Sequence, residues 1–105
     1  MPSYEDVLAY LGIDYADELV EKNVTKAMNA AWQTLLGSIG EDVEKHLPND
    51  PRVEELVKIY TEDLYSERGV SAKVSNATRN MVSTMEWQLR LELARKREEA
   101  AGGEA

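Results

Sequence analysis

The chain has 105 residues, which is enough for one small domain with a thin hydrophobic core. It contains no cysteine, and this excludes disulfides, thiolate metal sites and a thiol nucleophile. The net charge is −8, and no segment approaches the roughly 20 apolar residues that cross a membrane. We therefore expect a protein of the cytosol in which it is made, without a membrane partner.

The charge is distributed unevenly along the chain. Residues 1–50 hold three Lys/Arg and ten Asp/Glu, a net charge of −7, whereas residues 69–97 hold six Lys/Arg and two Asp/Glu, a net charge of +4. This asymmetry gives identical subunits a way to attract each other head to tail. It is equally typical of two solvated surfaces. The acidic N-terminal half opposes ordinary binding to duplex DNA, because phosphates would be repelled.

The first predicted helix is short. Ser3 is a suitable N-cap, and Asp6 stands three residues later in the position of a capping box. Gly12 is a typical helix stop. Between them, the apolar residues at helical spacing are Val7, Leu8 and Leu11.

The second predicted helix is longer and amphipathic, with about five turns. Asp14 or Asp17 starts it, and Gly37 and Gly40 end it. Steps of three and four separate most of its apolar residues, which are Leu19, Val20, Val24, Ala27, Met28, Ala31, Leu35 and Leu36. A brief helical turn is expected over residues 41–47.

A third main helix follows a proline-rich boundary. Asp50 is a good N-cap and Pro51 a good first helical residue. The apolar repeat continues through Val53, Leu56, Val57, Tyr60 and Leu64. We expect this helix to end near Arg68 and Gly69.

The last predicted helix begins after a link at residues 69–75, with Ser75 or Asn76 as its cap. Its main apolar line is Ala77, Met81, Met85, Leu89 and Leu93. The charged, Gly-rich tail at residues 98–105 predicts disorder. The sequence thus predicts an all-α fold, a small bundle of four to five helices over residues 1–97 with a long C-terminal helix.

The last helix carries more apolar residues than one stripe can use. Trp87 is two residues from both Met85 and Leu89, so it points away from their line. Trp and Arg dominate interface energetics, which makes this second face a candidate surface for self-association. The alternative is that Trp87 covers an edge of its own bundle. The predicted interface residues are Arg79, Met81, Val82, Trp87, Arg90 and Leu91.

Residues that could carry chemistry are sparse. His46 is the single histidine, and Asp42 four residues earlier does not complete a metal site, which needs three or four ligands. A second acidic cluster lacks the spacing and glycine of a calcium loop, and helix capping explains it better; its members are Asp14, Asp17, Glu18 and Glu21. We therefore expect neither enzymatic activity nor a metal or cofactor.

Taken together in order and spacing, four stretches resemble the head–tail connector family of long-tailed phages. They are residues 3–13, a short helix leading to an acidic turn; residues 19–36, a long helix; residues 50–68, opening with Asp50-Pro51-Arg52-Val53 and ending in Asp63-Leu64-Tyr65-Ser66-Glu67-Arg68; and residues 76–90. The resemblance covers about 90 residues, and no single motif in it is specific. Some members of the family end in an extended arm, whereas the sequence of this chain predicts a helix for its last segment.

The resemblance implies a cyclic homo-oligomer that docks on the portal protein, leads to tail-proximal or tail proteins, and lets DNA pass through its channel without sequence-specific binding. Such a subunit would reside in the virion after assembly in the host cytoplasm. Acidic walls would suit sliding DNA, which makes the acidic cluster at residues 14–21 a candidate channel-lining or subunit-facing surface.

Three other interpretations stay open. One is a helical adaptor or regulatory protein that acts as a dimer on a protein partner. Another is a DNA-binding regulator with a recognition helix at residues 76–90, which the net charge opposes. The third is an enzyme, which would need a site that the sequence does not display.

Overall fold

The computed structural model describes residues 1–15, 17–66 and 76–102, and within these ranges all regular structure is helical. The predicted all-α bundle is therefore confirmed. The described chain measures 53 × 30 × 19 Å along its principal axes. Its five helices are α1 (Tyr4–Leu11), α2 (Glu18–Ile39), α3 (Val43–His46), α4 (Pro51–Ser66) and α5 (Asn76–Gly102).

The first two helices begin at side-chain caps. The Ser3 hydroxyl accepts a hydrogen bond from the Asp6 N–H at 3.1 Å, as predicted. Gly12 ends α1 with a φ of 74°, in the left-handed region that glycine adopts without strain. Of the two acidic candidates for the start of α2, Asp17 is the cap, and its carboxylate accepts the Val20 N–H at 2.9 Å.

The two glycines that were predicted to end α2 have different roles. Gly37 lies inside the helix, and only Gly40 ends it, with a φ of 149°. The helix continues past Gly37 because Ile39 still packs into the core. The brief turn expected at residues 41–47 is present as α3.

The start of α4 is also as predicted. Pro51 is its first residue, and the Asp50 carboxylate accepts the Arg52 N–H at 2.9 Å. The predicted end near Arg68 and Gly69, and the link at residues 69–75 with its candidate cap, lie outside the described residues.

The predicted disordered tail is wrong for residues 98–102, because α5 continues to Gly102. Glu98, Glu99, Ala100 and Ala101 all have high helix propensity, which favours continuation of a helix that has already formed. The Glu99 carboxylate also lies 3.5 Å from the Lys96 amine one turn earlier. The final three residues lie outside the described part of the chain.

The core has two parts that follow the antiparallel course of α2 and α4. The main cluster joins the second half of α2 to α3, to the first half of α4 and to α5; its buried members are Ala31, Leu35, Ile39, Val43, Leu47, Val53, Leu56, Val57, Leu89 and Leu93. The smaller cluster joins α1 to the first half of α2 through Val7, Val24 and Met28, and Tyr65 near the end of α4 packs against it. The two ends of α4 therefore meet opposite ends of α2.

Helix α5 runs antiparallel to α4. Near its start, Arg79 lines the same surface cleft as Asp63, which lies near the end of α4. Further along, Glu92 forms an ion pair with Arg52 at the start of α4. Because α4 is antiparallel to both α2 and α5, helix α5 runs parallel to α2. The residues of α5 beyond Leu93 extend past the C-terminal end of α2.

Two glycine-to-alanine variants provide a matched test of this packing. A Cβ at Gly40 would lie 2.6 Å from Arg97 Nη2 and 2.7 Å from Leu93 Cδ2, at a φ that L-residues rarely adopt. Gly40→Ala should therefore destabilise the fold by about 1–3 kcal/mol. A Cβ at Gly37 meets nothing within 4 Å, so Gly37→Ala should stabilise the fold by about 0.5–1 kcal/mol.

Urea denaturation followed by circular dichroism measures both effects. Equal midpoints for the two variants would mean that α5 does not lie against Gly40.

Candidate interaction surface

The inner face of α5 belongs to the core. Leu89 and Leu93 are fully buried, and Val82 and Met85 pack half-buried against the same cluster. These four residues recur at steps of three and four, so they form one stripe along the helix. This stripe accounts for the apolar residues that α5 needs to join the bundle.

The outer face of α5 carries a second apolar group in solvent. Trp87 is 60% exposed and Leu91 is 47% exposed. Leu91 is two residues from both Leu89 and Leu93, which corresponds to about 200° of helix rotation, so the group lies opposite the buried stripe. Met81, 45% exposed, lies at the margin between the two faces.

An uncharged line surrounds this exposed pair, and we call it the outer strip. It runs at alternating steps of four and three, every member is exposed, and it consists of Asn80, Thr84, Trp87, Leu91 and Ala94. Such spacing places all five side chains on one side of the helix. Amphipathic helices usually expose charged residues on this side, so the strip has the composition of a surface that another molecule covers.

The structure separates the six predicted interface residues into two groups. Arg79, Met81, Trp87 and Leu91 are exposed, and they are available to a partner. Val82 packs on the main core instead, because it lies on the side of α5 that faces α4. Arg90 is exposed as well, but its guanidinium is engaged within the protomer.

Arg90 joins α5 to the end of α2. Its Nε donates to the Ser38 carbonyl at 2.8 Å, and its Nη2 donates to the Ser38 hydroxyl at 2.8 Å. The Ser38 hydroxyl in turn donates to Glu86 at 2.8 Å. Tyr60 of α4 adjoins the same group, and burial together with the neighbouring Glu86 raises the pKa of the Tyr60 hydroxyl well above its ordinary value.

Two further ion-pair groups hold the second half of α5. Arg97 donates to both carboxylate oxygens of Asp42, with 2.7 Å between Nε and Oδ2. Arg52 bridges Asp50 and Glu92, with 2.9 Å between its Nη2 and Asp50 Oδ2. The Arg97–Asp42 contact is bidentate, and the Arg52 guanidinium is shared between two carboxylates. Such guanidinium–carboxylate contacts restrict direction as well as distance. Together with the Arg90 contacts, they fix the rotation of α5 and keep the outer strip turned away from the bundle.

These pairs lower the pKa values of the carboxyl groups involved. Hydrogen bonds from Arg97 hold the pKa of Asp42 at about 2, against an ordinary value of 3.8. Hydrogen bonds from Arg52 likewise lower the pKa values of Asp50 and Glu92.

A second exposed apolar group lies at the other end of the molecule, before and at the start of α2. We call it the acidic corner: Asp14, Tyr15, Asp17, Glu18 and Leu19. Tyr15 is 79% exposed and Leu19 is 66% exposed. Three carboxylates belong to the same stretch of sequence, and two of them, Asp17 and Glu18, line one surface groove with Leu19 and Lys22. Glu21, the remaining member of the predicted acidic cluster, lies one turn further along α2 beside Lys22.

The assignment of Leu19 to the apolar core line of α2 is wrong. Val20 occupies that position instead, and it packs against the smaller cluster. The two neighbours are about 100° apart on the helix, so only one can face the core, and Val20 is four residues before the buried Val24. The exposed Tyr15 was not singled out from the sequence, although its position between two aspartates was a signal of a solvent-facing turn.

One further contact between ionisable side chains joins His46 and Asp42. His46 Nε2 lies 3.4 Å from Asp42 Oδ2, so the two residues do share one helical face, but Asp42 is principally bound to Arg97. Across residues 1–15, 17–66 and 76–102, no three His, Cys, Asp or Glu side chains are grouped so as to hold a metal ion. None of the helices in these ranges contains a hydrophobic segment that could span a bilayer.

Comparison of the chain with protein-family models, with curated proteins and with solved structures finds no match.

The ion pairs predict a specific dependence of stability on pH. Because the folded-state pKa of Asp42 is about 2 and its ordinary value is 3.8, the stability it contributes is present above about pH 4 and is lost as the pH falls towards 2. Asp42→Asn should therefore flatten the fall in unfolding free energy across this window, as measured by urea denaturation at stepped pH.

Glu41→Gln is the control, since Glu41 is exposed and makes no ion pair among the described residues. It should retain the wild-type slope. Identical slopes for wild type and Asp42→Asn would contradict the Asp42–Arg97 pairing.

Proposed function

We propose that this chain is a structural subunit of a phage head–tail connector, which forms a ring under the portal and surrounds the passage for DNA. It would meet the portal on one side and tail-proximal proteins on the other. It would assemble in the host cytoplasm and remain in the virion. The observation that carries the proposal is the outer strip of α5, whose Trp87 and Leu91 stay in solvent on the face opposite the core.

Self-association follows from the cost of leaving this strip uncovered. A buried aromatic or aliphatic side chain contributes roughly 1.5–3 kcal/mol relative to an exposed one. Trp87 and Leu91 forgo this gain in a lone protomer, and they lie next to each other one helical turn apart. In an assembly that repeats one contact many times, burial of these side chains contributes stabilising free energy at every interface.

Rigid presentation supports a geometric role. Arg90, Arg97 and Arg52 hold α5 to three different parts of the bundle, so the outer strip has a fixed direction relative to the core. Identical heterologous contacts close into a ring when their fixed rotation divides a full turn, whereas a loosely held helix would permit varied angles.

The charge of the chain agrees with passage of DNA. The net charge of −8 discourages lasting contact with phosphates, because like charges repel across a narrow channel. A ring of such subunits would let DNA slide without sequence-specific binding. This proposal assigns Asp14, Asp17, Glu18 and Glu21 either to the channel wall or to a subunit contact.

One observation favours a second candidate, a helical adaptor that acts as a dimer. Within the outer strip, the large side chains of Trp87 and Leu91 are adjacent, and the smaller side chains of Thr84 and Ala94 flank them. Two copies could therefore pair in antiparallel fashion through the strip alone. Such a contact is isologous and closes at two subunits.

The two candidates predict different masses in solution. A connector subunit gives closed rings, either alone at high concentration or when mixed with the portal protein of the same genome. Sedimentation velocity over a concentration series, with electron microscopy of the products, distinguishes rings from dimers. A stable dimer at every concentration would favour the adaptor, and a monomer that never forms rings would contradict both.

Trp87→Asp provides the corresponding variant. Because Trp87 is exposed, the substitution should change the free energy of unfolding by less than about 1 kcal/mol, and circular dichroism should retain the wild-type helicity. Assembly should be lost, because a charge replaces the largest side chain of the strip.

Leu89→Ala is the matched control on the buried face of the same helix. It should destabilise the protomer by about 2–5 kcal/mol. If Trp87→Asp destabilised the monomer as strongly as this control, Trp87 would belong to the core and the proposal would fail.

A further inference from the structure

Two exposed apolar groups remain in a protomer whose other large apolar side chains are mostly covered. Among the described residues the most exposed large hydrophobic side chains are Tyr15, Leu19, Trp87 and Leu91, and they fall into two pairs. One pair belongs to the acidic corner and the other to the outer strip. Each pair contains one large aromatic side chain, the residue type that is enriched at interface centres.

The two pairs cannot cover each other within one protomer. Leu19 lies at the start of α2, whereas Arg90, next to Leu91, binds Ser38 at the end of that helix. The rise of 1.5 Å per residue places about 30 Å between these levels. Within the described part of the chain neither pair is covered, and a second molecule can supply that cover.

The charges around the two pairs are complementary. The corner presents the carboxylates of Asp14, Asp17 and Glu18. Beside the strip, Arg95 lies four residues after Leu91 and is exposed, and its nearest recorded electrostatic partner is Glu92, three residues earlier on the same helix. An exposed cation beside an apolar pair fits an acidic, apolar partner better than it fits a second copy of itself.

We infer that the outer strip of one copy docks on the acidic corner of the next copy. The inference rests on the proposed function in taking the partner to be another copy of this chain. Trp87 and Leu91 then cover Tyr15 and Leu19, and Arg95 faces Glu18.

Repeated head to tail, this contact is heterologous: a pair of copies leaves one strip and one corner free, and further copies add until the assembly closes. Two copies that exchanged both contacts would instead close as a dimer, and sedimentation velocity of the cross-linked product separates these two outcomes. The aromatic side chains at each contact, Trp87 and Tyr15, supply roughly 300–500 Å² of buried area. A stable interface buries ~1,000 Å² or more, so the other members of the strip and the corner must supply the remainder, and closure or a template strengthens each contact.

Single-cysteine variants test the contact directly, because the chain has no native cysteine. Leu19→Cys and Leu91→Cys are mixed under oxidising conditions at high concentration, alone and with the portal protein. The mixture should give a disulfide between position 19 of one copy and position 91 of another, identified by peptide mass spectrometry. Ala30→Cys mixed with Leu91→Cys is the control, because Ala30 is exposed on α2 away from the corner.

A charge reversal tests the electrostatic part. Glu18→Lys, added to the Leu19→Cys copy, should slow formation of the mixed disulfide about two- to fivefold. Adding Arg95→Glu to the Leu91→Cys copy should restore the original rate. An unchanged rate in the Glu18→Lys mixture would overturn the pairing of these two charges.

The remaining outcomes separate this inference from the proposed function. A disulfide formed mainly between two Leu91→Cys copies would overturn the inference in favour of strip-to-strip pairing. Rings without the mixed disulfide would overturn the inference and leave the proposed ring intact. Neither rings nor a mixed disulfide, in the presence of portal protein, would overturn both.

Discussion

Helix α5 has apolar residues on two opposite faces, and a bundle of this size can bury only one of them. Leu89 and Leu93 take the inner position and complete the main core. Trp87 and Leu91 are then left on the far side of the same helix, regardless of how well the rest of the chain packs. The geometry of a single helix thus imposes an exposed apolar strip, and the role we assign to the protein follows from that constraint.

Charged contacts determine how this strip is presented. Asp42 and Glu92 bind arginines across the junction of α5 with the rest of the bundle, and Asp50 binds the same Arg52 as Glu92 does; these hydrogen bonds lower the pKa values of all three carboxyl groups. Exposed ion pairs of this kind add little to stability individually. Their effect is directional: they fix the rotation of the helix, and Gly40 leaves room for it to approach the end of α2.

Local chemistry made much of the fold predictable. The starts of α1 and α2 depend on the side chains of Ser3 and Asp17, each of which bonds an N–H three residues ahead, and the strip around Trp87 follows from helical spacing. Tertiary packing decided the rest. The choice of Val20 over Leu19 depends on where α1 lies, and the Arg90 network reaches Ser38, 52 positions away, so neither could be inferred from neighbouring residues.

The most direct test of the central claim is the environment of Trp87 itself. Trp32→Phe leaves Trp87 as the sole tryptophan, since the chain has two, and its emission and acrylamide quenching can be followed from dilute to concentrated protein, alone and with portal protein. We predict red-shifted, readily quenched emission in the protomer, and a blue shift with reduced quenching on assembly. Emission already blue-shifted and protected in the dilute protomer, or unchanged by assembly, would contradict the claim that another molecule covers this face.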